Sequence, residues 1–143
     1  MTEGDAWHGS PVRALVAGLT NEQAAIRSAG FSHSIWELVR HMTAWAEIAK
    51  RRLAGEIVEP TSTEDWPPVG DSNPDAWKSA VESLERAHAE LRRAVLALGD
   101  GHLDDRTPGK PYSLYVLLHG VVQHTAYHAG QIALLRRGSQ AHS

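Results

Sequence analysis

Apolar residues recur at intervals of three and four in every long segment of this chain, and nowhere do they alternate. That is the period an α-helix needs to bury one face, so an all-α fold is expected and a sheet is not. In the first segment Ser10 can cap a helix beginning at Pro11, with Val12, Leu15, Val16 and Leu19 on its buried face. The stretch 20–28 (TNEQAAIRS) adds a further turn or two. A second helix starts at the capping box Ser34-x-x-Glu37, carries Ile35, Leu38, Met42, Trp45, Ala49 and Leu53 on one face, and stops at Gly55. A third starts at Asn73-Pro74, buries Trp77, Val81, Leu84, His88, Leu91, Val95 and Leu98, and closes at Gly99. The fourth follows a cap at Ser113, with Leu114, Leu117, Val121, His124, His128, Ile132 and Leu135 in one sector and Gly138 as the stop. The connection 56–73, with Pro60, Pro67, Pro68 and Gly70, is expected to lack regular structure and suits a crossover. Four helices with two long connections read as a four-helix bundle.

The 143 residues suffice for one domain spanning the whole chain. Lysine and arginine total 14 against 17 acidic residues. No basic surplus is left to hold nucleic acid or an anionic membrane. The absence of cysteine removes disulfides, thiolate metal sites and cysteine nucleophiles from consideration. The opening Met1-Thr2-Glu3-Gly4-Asp5 has no positive or apolar leader pattern, and the run 114–122 is too short to span a bilayer, so a cytoplasmic location is expected.

The functional signal lies in the nine histidines. His124 and His128 stand four apart, which stacks two imidazoles on one helical face where they can share a metal ion. Nine histidines in a chain this long give on the order of 0.5 such pairs by chance, so spacing alone carries little. Phase carries more: both fall halfway along an apolar stripe, where buried imidazoles must be hydrogen-bonded, hydrated or metal-bound. A hydrated polar cluster competes evenly with a metal site at this point. A third ligand has two candidates, His41 and His88, each on its own helix's stripe, and phase does not choose between them. His119 falls on the opposite side of its helix and reads as a surface residue. His33 reads as a loop residue, and His8, His102 and His142 fall near termini or loops. Glu85-x-x-His88 is one half of a di-iron pattern whose other half is missing.

Two stretches resemble a known family. Ser34-Ile35-Trp36-Glu37-Leu38-Val39-Arg40-His41 with Trp45 is similar to the second-helix signature of the DinB/YfiT-like superfamily. His124-Thr125-Ala126-Tyr127-His128-Ala129-Gly130-Gln131-Ile132, running on to Leu134-Leu135-Arg136, resembles its last-helix signature. The resemblance implies an up-down-down-up four-helix bundle and a three-histidine divalent metal site whose ligands, carried over by position, are His41, His124 and His128. His88 then reverts to a buried or boundary residue. The family's characterised members include transferases and isomerases that use low-molecular-weight thiols. Ala129 departs from the arginine often found at that position, which weakens the substrate assignment but not the metal one.

The leading expectation is therefore a metal-dependent enzyme of transferase, isomerase or hydrolase type, with zinc or nickel on three neutral imidazoles and open positions for a substrate or a thiol cosubstrate. A small-molecule substrate is expected, with neither nucleic acid nor membrane as partner, and the resemblance brings a homodimer as a further expectation. Glu37 and Gln131 can orient the imidazoles, although helix capping and helix packing account for them equally well. Trp45 and Tyr127 can line a pocket or fill core. No general base is assigned. A second expectation is a non-catalytic metal-binding or stress-response bundle. A third is an interaction module without metal, whose surface would be Trp66 and the 56–73 connection.

Overall fold

The computed structural model describes residues 12–140, and among them the only regular structure is helical. Three long helices dominate: α3 (Ile35–Leu53), α5 (Pro74–Leu98) and α6 (Leu114–Gln140). Helix α3 packs against both of the others, so it is the element that ties the molecule together. The remaining helices are short: α1 (Val12–Val16), α2 (Asn21–Ala25) and α4 (Ser62–Asp65), with a 3₁₀ turn at Asp100–His102. No helix among the described residues is long and apolar enough to cross a membrane.

The starts of α3 and α5 follow the sequence pattern. Ser34 and Glu37 form the reciprocal capping box, and the Asn73 side chain accepts from the Ala76 N–H with Pro74 in the first turn. Ser113 Oγ accepts from the Val116 N–H at the head of α6. Gly55 and Gly99, at φ +97° and +76°, leave the ends of α3 and α5 in a backbone region that other residues avoid.

Three expectations need correction. Among the described residues the first apolar segment is not one continuous helix: α1 ends at Val16, because Gly18 takes φ +76° and Thr20 opens a new capping box with Gln23 at the head of α2. The proposed cap at Ser10-Pro11 lies outside the described residues. The 56–73 connection does contain regular structure: Thr61 and Glu64 form a third capping box that nucleates α4 between the prolines. Finally, α6 does not stop at Gly138 but continues to Gln140. Its end is held from outside, since Leu135 is buried and Arg136 donates to the carbonyls of Ala14 and Leu15.

The core has two parts. The larger joins α1, α2 and the first half of α3 to Trp77 and Leu84 of α5 and Ile132 and Leu135 of α6, with Trp36 tilted against Trp77 at 5.3 Å. The smaller is Ala46, Ala49, Ala87 and Leu91, with Leu53, Val95 and Val121 at its edge. His41 lies on α3 between Met42, which belongs to the first part, and Ala46, which belongs to the second.

Candidate metal centre

Helix α6 presents His124 and His128 one turn apart, and α3 presents His41 opposite them. His41 Nε2 lies 2.9 Å from His124 Nε2, which is 3.1 Å from His128 Nε2. The candidate ligand atoms of all three lie within 4.8 Å of one another, and among the described residues no other group of such side chains meets that condition. His41 and His128 are buried, and His124 is half-buried.

The second ring nitrogens explain the convergence. His41 Nδ1 stands 2.6 Å from the backbone carbonyl of Asp65, which can only accept, so Nδ1 carries the proton. His128 Nδ1 stands 2.5 Å from Oε1 of Gln131, which fixes the same tautomer. Both Nε2 atoms are therefore bare lone pairs aimed at His124 Nε2. One proton on His124 Nε2 satisfies one of these contacts and leaves the other lone pair without a donor. A cation satisfies all three. Donor atoms about 2.05 Å from a tetrahedral zinc lie about 3.3 Å apart, close to the 2.9 and 3.1 Å that separate His124 from His41 and His128. The residues fit a divalent ion bound by three neutral imidazoles.

Electrostatics agree with neutral ligands. Burial pushes all three histidines below the ordinary imidazole range, His124 down to about 4, with its two imidazole neighbours adding to the effect. Asp65 and, at His128, the Gln131 hydrogen bond work in the opposite direction.

Around the rings, α4 supplies what sequence reading missed. Asp65 gives its carbonyl to His41, and its carboxylate accepts from Trp45 Nε1 at 2.7 Å while lying 3.3 Å from His41 Nδ1. Trp66 stacks flat on His41, with centroids 3.7 Å apart, and carries His33 on its other face at 3.6 Å. His33 lies in the loop before α3, as expected, and from there joins a three-ring stack. The Thr61-x-x-Glu64 pattern signals the turn, but nothing in the sequence marks a backbone carbonyl 24 positions away as the partner of His41.

Gln131 orients a histidine. Glu37 does not, since it caps α3 and pairs with Arg27. Trp45 is half-buried beside His124, at 5.8 Å between centroids. Tyr127 is 66% exposed and so not core; its ring lies 5.1 Å from that of His128. His88 is absent from the cluster; its Nδ1 is buried without a partner, and burial lowers its pKa to about 4. His119 is exposed and stacks on Tyr115, and exposed His102 pairs with Asp105. His8 and His142 lie outside the described residues.

A cavity of about 410 Å³ opens beside His41 and His124, walled by Trp45, Leu117 and Val121, with Arg52 and Tyr112 also on its lining. Mostly apolar walls with a few convergent polar groups are what a small-molecule site requires.

No curated protein and no solved structure gives a significant match to this sequence. The family model of the DinB superfamily matches residues 7–132, a span that contains all three converging histidines, Gln131 and the Asp65–Trp66 turn. On that match, the chain belongs to the DinB superfamily.

Proposed function

We propose that this chain is a metal-dependent enzyme on an up-down-down-up four-helix bundle, the split α1–α2 segment standing in for the first helix. His41, His124 and His128 hold a divalent ion, zinc or nickel, and the substrate is a small molecule transformed by thiol-dependent transfer, by isomerisation or by hydrolysis. The observation that carries this reading is the meeting of three imidazole Nε2 atoms, two of them with their Nδ1 protons already committed elsewhere. A bound ion of this kind supplies a Lewis acid that lowers the pKa of a water or thiol and polarises a carbonyl.

The chain's own residues supply placement. The Asp65 carbonyl and Gln131 hold two rings in the ligating tautomer. Trp66 covers one face of His41, which keeps solvent from that side. The cavity beside His41 and His124 leaves the approach from Val121 and Leu117 free for a ligand.

A screen of low-molecular-weight thiols with electrophiles, and of ester and amide substrates, tests the enzyme reading. Turnover by the parent that disappears in His124→Ala supports it. One observation favours the second reading, a non-catalytic metal-holding bundle: among the described residues the cavity lining carries one carboxylate, Asp65, and its Oδ1 is spent on Trp45 and His41. Stoichiometric metal with no turnover anywhere in the screen would favour that reading.

A further inference from the structure

Arg52 is the unexplained charge in this molecule. Only 3% of it is exposed, yet among the described residues no carboxylate lies within ion-pair distance. The nearby acids are taken, Glu59 by Lys110 and Glu56 by Arg51. Of its five N–H donors, one on Nη2 reaches the Val58 carbonyl at 2.8 Å, and Nη1 has only the Tyr112 hydroxyl at 3.5 Å. Nε is buried without a partner. Burying a guanidinium in this way is costly unless an anion completes it.

Its position says where that anion belongs. Residues 41, 45 and 52 fall on one face of α3, since offsets of four, seven and eleven all return to the same side of a helix. The Arg52 guanidinium leans back over Trp45, 5.7 Å from the ring centre, and lines the same cavity as His41 and His124. The cavity is therefore polar at two separated places, a histidine end and a guanidinium end, with Trp45, Leu117 and Val121 between them.

We propose that Arg52 and Tyr112 form an anion-recognising end of this cavity, and that its ligand is a short-chain molecule with a carboxylate at that end and its other terminus facing His41 and His124. One guanidinium with no second cationic side chain among the described lining residues suits a single negative charge better than a phosphate dianion, and the Asp65 carboxylate on the same lining adds to that preference. Tyr112 donates its hydroxyl proton to the carboxylate while Arg52 Nη1 donates a second hydrogen bond. The proposal rests on the metal-centre reading only for which ligand terminus faces the histidines.

The test uses hexanoate and its neutral isostere hexanamide as probes, on full-length protein whose metal content is measured in the same sample. Calorimetry should give hexanoate an advantage of roughly tenfold or more, the scale of one charge-assisted hydrogen-bond pair. The Arg52 Nε–Hε resonance, assigned by its loss in Arg52→Lys, should shift with hexanoate and stay fixed with hexanamide. Arg52→Met should bring hexanoate down to the hexanamide level with metal content unchanged. Equal affinity for the two probes in the parent, or a preference that survives in Arg52→Met, overturns the proposal. The resonance shift in the parent decides the matter should Arg52→Met fail to fold, because Arg52 also ties the 56–60 connection to α3. A carboxylate preference in protein that holds no metal would retain the anion site and discard the metal centre; metal without the preference would do the reverse.

Discussion

At the residue scale, the proposed centre depends on atoms that do not touch a ligand position. Gln131 holds the His128 ring through Nδ1, and removing that bond leaves the ring free to rotate and to exchange tautomers. Gln131→Leu should weaken zinc affinity by about 10- to 100-fold with unchanged helicity, measured by competition with a chromogenic chelator. His88 makes a separate prediction, because burial holds its pKa at about 4 against an unfolded value of 6.5. The folded state disfavours the protonated ring, so the unfolded chain binds more protons between those two pH values. The contribution of His88 to stability is fully present above pH of about 6.5 and is lost as pH falls toward about 4. His88→Gln should flatten that acid limb in denaturation midpoints measured across the pH range; an unchanged slope would show that His88 does not titrate this way. His124 and His128 were legible as a pair because phase, more than spacing, put them inside. The choice of His41 over His88 was not legible from phase, since each lies on its helix's apolar stripe; only the family resemblance separated them.

At the scale of elements, the short helix α4 matters more than its length implies. It is built by Thr61 and Glu64 within a proline-rich connection, and it delivers Asp65 and Trp66 to the histidines together. Trp66→Ala should leave the far-ultraviolet dichroism of the long helices intact while speeding metal extraction by a chelator several-fold, because the ring covering His41 is gone. Extraction at the parent rate would show that the stack is packing alone. Reading the connection as irregular weighted its prolines and passed over the same S/T-x-x-E pattern that identified the start of α3. The split of α1 from α2 has a similar cause: a glycine at φ +76° followed by a Thr20–Gln23 box outweighs continuous apolar spacing. Arg52 was hidden for another reason. At the charged end of a helix, a buried guanidinium reads as one more solvated residue until the Val58 carbonyl and Tyr112 are seen around it.

At the scale of the molecule, α3 joins every functional part. It packs on both other long helices, carries His41 between the two parts of the core, and reaches from the histidines past Trp45 to Arg52. The all-helical class was legible because three long stripes of period 3.6 leave no alternative way to bury their apolar faces. How the faces meet was not, because that depends on contacts such as Trp77 Nε1 donating to the Leu19 carbonyl, which join residues 58 positions apart.

Three imidazoles from α3 and α6 converge on one point, and a divalent ion is what we propose they hold. Elemental analysis of tag-free protein, quantified per chain, addresses it most directly when run beside a His41→Ala, His124→Ala, His128→Ala variant shown by dichroism to be folded. On this proposal, near-stoichiometric zinc or nickel is expected in the parent and none in the variant. Parent protein that is free of metal and also refuses added zinc and nickel would contradict it, and would leave the three histidines as a buried polar cluster.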